Sequence, residues 1–384
     1  MDKKWRGEKL WMGLLAVGMV LGALAFVYIS LFGHTHEFRT SWEPDWGLLV
    51  ASYEFFVLCG AGLAVASAGV FLAGSQRIQG LCRRMATHSA LGFVIGLGLV
   101  IIELTQPTRL SMASVLGPIF YKKLFLALSC FAATLGALVA LHVQLRRNRA
   151  IAVLALAISV FLLSCLGIFQ MGHVLGQFGQ PPEWLTAPAF IDYLLAALLS
   201  GTALCVLILF LGSKFSASRR ARDYHSVLQW LRTWSIACLS LYAFSMVIIF
   251  FTYASGQLGG QHLIAPFLFS GPLAFNFWGF QVVVGLLLPM LLLLISRAVP
   301  VERLALAAGL ILTGQFFRSY DMILAGQLET FHSEASFLVK QGLLVITPCL
   351  PKTLVVIGTI SFFLFVMTYC EKMKPWSDQA QKGK

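Results

Sequence analysis

Charge is what this chain has least of. Only 11% of its 384 residues are charged, and Asp and Glu together number 16 against 28 Lys and Arg. With 58% hydrophobic residues and a mean hydropathy of +0.82, a soluble domain is excluded, because too few polar residues exist to cover it. Paired cysteines are missing too. Cys59, Cys82, Cys130, Cys165, Cys205, Cys238, Cys349 and Cys370 stand singly, mostly inside apolar runs, and none makes a CxxC. That removes the usual ligand spacing of zinc sites and iron–sulfur clusters and leaves buried packing as their role. A P-loop, a GxSxG elbow and an HExxH pair are all absent, as are lipidation motifs, a twin-arginine signal and low-complexity linkers. The net charge of +12 would suit nucleic acid only if the basic residues formed a patch. They lie instead between apolar segments, so we read them as determinants of membrane topology and expect no nucleic-acid partner.

What is present is a series of long apolar runs. A transmembrane helix needs about 20 apolar residues, and ten runs qualify: 10–32, 46–73, 87–105, 119–142, 150–172, 188–212, 231–256, 272–297, 303–325 and 350–370. Irregular backbone cannot face lipid, so these spans are predicted to be α-helices. The first is longer than a secretory h-region and reads as a retained helix. The expected fold is an all-α integral membrane protein of ten transmembrane helices. A faint internal similarity divides it. Spans 2 and 6 each carry an acid in the first turns, Glu54 and Asp192, followed about eight positions on by small residues, Gly60-Ala61-Gly62 and Ser200-Gly201. Two tandem four-helix bundles follow, spans 2–5 and 6–9, flanked by spans 1 and 10. The corresponding units are 1–45 (N-terminus, first span and a loop), 46–172, 173–325 and 326–384 (a loop, the last span and the tail).

Lysine and arginine orient the spans. The side holding both termini carries 21 of the 28, among them Arg83, Arg84, Arg146, Arg147, Arg219 and Arg220. The other side has Arg39, Arg109, Lys122, Lys123, Lys340 and Lys352, and Arg318 lies within a span. This asymmetry predicts cytoplasmic N- and C-termini in a bacterial or archaeal inner membrane. Tryptophans agree, since they favour the interfaces: Trp42, Trp46, Trp184 and Trp278 fall at the outer boundary, and Trp5, Trp11, Trp230, Trp234 and Trp376 at the inner one.

The orientation gives each polar residue a depth. The stretch 306–328 is apolar enough to span, yet carries Arg318 and Asp321. At i, i+3 they share a helix face and are expected to form a structural ion pair. Glu54 lies about 12 Å below Trp46, and a buried carboxylate there must be protonated or paired. Glu103, Gln170, His173, Asp192 and Asn276 sit near the outer ends of their spans. Ionisable groups from several spans thus gather toward the outer leaflet, while the inner half shows no carboxylate and only His88 and His142 at its boundary. Each has a plainer reading: Asp192 as complement to a helix N-terminus, His173 as a solvated loop residue, Glu103 as an interfacial anchor, Asn276 as a packing hydrogen bonder, Glu54 as a structural partner of Arg318. All eight histidines fall in loops or at span ends, so no haem is expected, nor any metal.

The residue pattern resembles the NrfD-like, polysulfide-reductase-type membrane subunits. The resemblance rests on Trp46-Gly47 through Gly60-Ala61-Gly62, on Glu103 through Arg109, and on Pro182-Glu183-Trp184 followed by Ser200-Gly201. It continues with Trp278, Gly285 and Pro289, Gly314-Gln315-Phe316-Phe317-Arg318 through Ala325-Gly326-Gln327, and Pro351. It covers about 46–370, most specifically in span 9. Ten spans are similar to the longer, hydrogenase-associated and alternative complex III types. Lys352 stands where the family often has a glutamate, and the Gln106-Pro107-Thr108 turn lacks the usual arginine before its proline.

The resemblance implies a menaquinone or ubiquinone site near the periplasmic surface, without haem or iron–sulfur cluster in this chain. It implies as partners a periplasmic ferredoxin-like iron–sulfur subunit and a catalytic oxidoreductase subunit (a molybdenum enzyme, hydrogenase or cytochrome). Quinone chemistry couples two electrons to two protons, so the site needs proton-exchanging groups, expected to be Glu54, His173 and Asp192. The head group is expected against Tyr53, Glu54, Glu103, Gln170, His173 and Asn276, with proton exchange on the outer side. Two alternatives stand beside this one. A secondary transporter fits ten spans and a repeat, although such sites usually lie at the midplane on broken helices. A purely structural anchor would use the acids only to tie helices together.

Overall fold

The computed structural model describes residues 3–32, 47–72, 79–104, 112–147, 150–175, 186–215, 224–254, 264–295, 300–330 and 350–373. Among these every element is helical: α1 (Lys3–Phe32), α2 (Leu48–Leu72), α3 (Gln79–Leu104), α4 (Met112–Arg146), α5 (Ala150–Leu175), α6 (Thr186–Phe215), α7 (Tyr224–Ala254), the short α8 (Ile264–Phe269), α9 (Asn276–Leu294), α10 (Val301–Thr330) and α11 (Leu350–Met373). Nine are long and apolar enough to cross a membrane. The tenth expected span is α10, thirty residues long. Gln315, Arg318, Ser319 and Asp321 make it the most polar of the long helices, and all four are buried by its neighbours. The expected multi-pass helical fold is therefore present. Helices overrun the expected ends most at α3 and α4; in α3, polar residues such as Gln79, Arg83 and Arg84 continue the turns past the apolar run.

Helix contacts close into two rings. α2 packs on α3 and α5, and α4 joins those two; α6 packs on α7 and α10, and α9 joins α7 and α10. The bundles meet where α2 crosses α6 and α10, and α1 pairs with α11 at the side. In lipid, helices gain little from burying apolar side chains, so close backbone approach drives association. Glycines supply it. A Cβ on Gly62 of α2 would strike the Ala197 carbonyl of α6, with Gly201 beside it. On α9, a Cβ at Gly285 would come within 2.6 Å of the Gly314 Cα of α10. Of the small-residue clusters read as helix contacts, Gly62 and Gly201 meet at the seam between the bundles, while Gly60 packs on Ser89 and Phe93 of α3.

α9 departs from α-helical geometry. Asn276–Leu287 is a π-helix, and Leu288–Leu294 returns to α. The change falls at Pro289, in the first turn of the α segment. Pro has no N–H, so it ends the ladder that Leu288 N–H still makes to the Val283 carbonyl, and the geometry changes there. Near the other end, Arg232 of α7 donates through Nε to the Leu293 carbonyl at 2.9 Å, satisfying one of the acceptors a helix end leaves open.

Candidate functional site

The site grows from Arg318. It sits on the face of α10 that meets α2 and α6, and only 2% of it is exposed. A guanidinium so placed needs anionic partners on both helices, and it has them. Nε donates to Asp192 Oδ2 of α6 at 3.0 Å and Nη2 reaches the same oxygen. Nη1 donates to Glu54 Oε1 of α2 at 3.2 Å. The Tyr193 ring lies 4.3 Å from the guanidinium carbon, adding a cation–π contact. Glu54 and Asp192, the acids of the faint repeat, therefore converge on one cation at the seam.

Around this triad lie buried polar atoms that make no well-formed hydrogen bond and meet one another or Tyr242 at its rim: Glu54 Oε2, Tyr193 Oη, Ser319 Oγ and Gln315 Oε1. All belong to buried residues. Tyr193 and Ser319 adjoin Glu54, and Tyr242 adjoins Gln315 and Arg318. Buried polar groups are almost always satisfied, and each exception calls for a reason. Here they gather in one place, beside Glu54 Oε2, a carboxylate oxygen that Arg318 does not engage.

Asp321 is not part of the triad, which corrects the expected Arg318–Asp321 ion pair. Its Oδ1 accepts from Asn276 Nδ2 at 3.0 Å and its Oδ2 from Gln281 Nε2, both on α9. Although i, i+3 residues share a helix face, each leans to the helix packed on its own side. Arg318 finds two carboxylates on α2 and α6, a better complement to a fork of donors than one neighbouring acid. The π geometry explains the amide pair. With hydrogen bonds closing i to i+5, Asn276 and Gln281 stack on one side; in an α-helix they would lie about 140° apart.

The remaining expected residues divide. Tyr53 is buried but turns to α5, its hydroxyl 3.8 Å from Met171 Sδ. Gln170, next to Met171, is half-buried. Asn276 is engaged with Asp321. Glu103 and His173 lie in α3 and α5, but their side chains fall outside the described residues, as do Trp42, Trp184, Gln106, Pro107, Thr108 and Lys340. Sequence reasoning missed Tyr193, Gln315, Ser319 and Gln281. Gln315, Arg318 and Ser319 are spaced i, i+3, i+4, a polar stripe that was there to be read. Gln281 was hidden because an α-helical wheel turns it away from Asn276.

The opposite end of the bundle also needs correction, since a buried carboxylate is present there. Glu371 of α11, 1% exposed, pairs with Arg84 of α3, and His88 Nε2 lies 3.9 Å from its other oxygen. His88 Nδ1 is 2.8 Å from the Arg84 carbonyl. Trp11 donates to Thr368 at 3.2 Å, and Lys372 bonds Glu8, so α11 is tied to α1 and α3. The acid went unseen because the apolar run stops at residue 370, whereas the helix continues to Met373. Mutual neutralisation with Arg84 lets that last turn stay buried. No group of three or more His, Cys, Asp or Glu able to hold a metal occurs among the described residues.

Compared with known proteins, the chain matches a family model described as "Polysulphide reductase, NrfD" over residues 39–330, a range that takes in both bundles and ends with α10. No curated protein matches the chain significantly.

Proposed function

The chain belongs to the polysulphide reductase NrfD family, whose members are membrane subunits of quinone-linked oxidoreductase complexes, and on that premise we propose that it exchanges electrons between a membrane quinone and an iron–sulfur partner. The observation that carries the reading is the buried Glu54–Arg318–Asp192 triad with its rim of weakly engaged polar atoms. A quinone head group presents two oxygens, each an acceptor in the quinone and a donor in the quinol. Glu54 Oε2, Tyr193 Oη, Ser319 Oγ and Gln315 Oε1 offer it both kinds of partner. Arg318 supplies positive potential that favours reduced, anionic oxygen, and Asp192 holds the guanidinium in place by accepting two of its N–H groups.

In this reading Glu54 exchanges the proton, because Arg318 holds it by a single N–H, and Asp192, which takes two, is chiefly the fixed counter-ion. His173 carries the proton onward to water, and Tyr53, Glu103, Gln170 and Asn276 shape the approach of the head group. Glu54 and Asp192 each lie six residues inside the first residue of their helix, about 9 Å deep. The positive-inside asymmetry sets that end outside, with both termini cytoplasmic. An extracytoplasmic ferredoxin-like subunit then comes within electron-transfer reach and contacts a catalytic subunit. Menaquinone or ubiquinone is the substrate.

The test uses the complex as isolated from membranes. Glu54→Gln keeps the shape and one acceptor but removes the exchangeable charge. It is expected to lower quinol-coupled turnover at least tenfold while the subunits still co-purify. Unchanged turnover in Glu54→Gln and His173→Ala together would remove this site from the reaction.

A further inference from the structure

Among the described residues, the buried acids Glu54 and Asp192 share Arg318 at the seam, whereas Asp321, buried where α10 packs on α9, has no cation within salt-bridge distance. No part of Asp321 is exposed, and its partners are two neutral amides. A lone carboxylate in a membrane interior is expensive unless a positive charge joins it.

We propose that Asp321, Asn276 and Gln281 form a binding site for one small monovalent metal cation, sodium or lithium. The donor set argues for it. Either end of a carboxamide can face its partner, and turning the two amides over sets Asn276 Oδ1 and Gln281 Oε1 beside the two oxygens of Asp321. Oxygen donors without nitrogen or sulfur select hard cations. One carboxylate balances one charge, so a monovalent ion leaves the site neutral where calcium or magnesium would not. The close approach of α9 and α10 at Gly285 and Gly314, four residues from Gln281, favours a small ion over potassium.

The π-helix is a second, independent observation. Twelve residues of π geometry form a long departure from the α ladder, and such segments are commonest at functional sites. Its effect here is specific: it is the i, i+5 register that brings Asn276 and Gln281 to one carboxylate. A proton would need one acceptor and no such register. Arg318 does not compete, because its guanidinium points to α2 and α6. The site shares Asn276 with the proposed approach of the head group, but its argument does not depend on the redox reading.

Thermal unfolding of the purified protein, followed by tryptophan fluorescence at pH 8, tests the proposal. Ionic strength is held constant while NaCl, LiCl or KCl replaces choline chloride. Sodium or lithium is expected to raise the melting temperature saturably by a few degrees, as a ligand of the native state must, and potassium much less. Asp321→Asn should abolish the shift, and Thr313→Ala, on an exposed part of α10, should keep it. Gln281→Met preserves bulk and is expected to raise the half-saturating sodium concentration at least tenfold, which keeps the test open if Asp321→Asn fails to fold. Coincident curves in sodium and choline would overturn the site. So would a sodium response that survives Asp321→Asn, or equal stabilisation on lowering the pH with no preference among cations, which would assign the position to a proton.

Discussion

Removing Arg318 separates the triad from every arrangement in which α10 carries its own ion pair. Arg318→Ala deletes three hydrogen bonds and leaves Glu54 and Asp192 facing each other, buried, with no cation. Breaking a buried pair from one side typically costs about 3–5 kcal/mol, chiefly because a charge is stranded. At about 2–4 °C per kcal/mol for a sizeable domain, the melting temperature should fall by on the order of 10 °C. The coupling is more informative than the drop. Asp192→Asn in the Arg318→Ala background removes one stranded charge, so the double variant should recover part of the loss, leaving an interaction energy of about 1–3 kcal/mol in the mutant cycle. Asp321→Asn should recover nothing, since Asp321 answers to Asn276 and Gln281. Differential scanning fluorimetry on the purified protein measures all four corners. If Asp321→Asn rescues Arg318→Ala and Asp192→Asn does not, the triad is wrong and the neighbouring pair on α10 is right.

Two further outcomes follow from packing. Gly62→Ala forces a methyl onto the Ala197 carbonyl at the seam; overpacking of this kind costs about 1–3 kcal/mol, and an unchanged melting temperature would show that α2 and α6 stand further apart. At the opposite end, Arg84→Ala strands Glu371, while the charge exchange Arg84→Glu with Glu371→Arg restores a pair. The single variant should lower thermal stability markedly and the exchange should recover most of it; equal loss in both would deny the pair.

How much of this was legible in the sequence varies with the physical signal. Helix positions were legible, because about 20 apolar residues in a row have one outcome in lipid. Helix ends were less so: apolarity marks the hydrocarbon, and α3 and α11 go on through charged residues such as Arg84 and Glu371 that pair with each other. The gathering of Glu54, Asp192 and Arg318 toward one end was legible from residue counts alone. Their partnership was not, since Arg318 and Asp321 share a helix face and only the packing of neighbouring helices decides which acid each cation meets. Gln281 could not have been found by any α-helical periodicity, because the register that matters there is i, i+5.

The likeness of spans 2 and 6 sets two acids against one arginine, and the proposed site is asymmetric as a result. Glu54 precedes Gly62 by eight residues, and Asp192 precedes Gly201 by nine; the two glycines meet at the seam, so the acids face each other across it. One arginine cannot serve two equivalent acids equally. Its planar fork gives two N–H groups to Asp192 and one to Glu54, and the longer glutamate side chain is what reaches that remaining donor. Glu54→Asp retracts the carboxylate by one bond, about 1.5 Å, and a 3.2 Å contact cannot survive that without helix movement. Arg318 should then stay with Asp192, the fold should hold to within a few degrees, and quinol turnover should fall nearly as far as in Glu54→Gln. Full turnover in Glu54→Asp would mean that the carboxylate acts at a distance from Arg318, and that the Glu54 oxygen Arg318 does not engage is not the group that exchanges the proton.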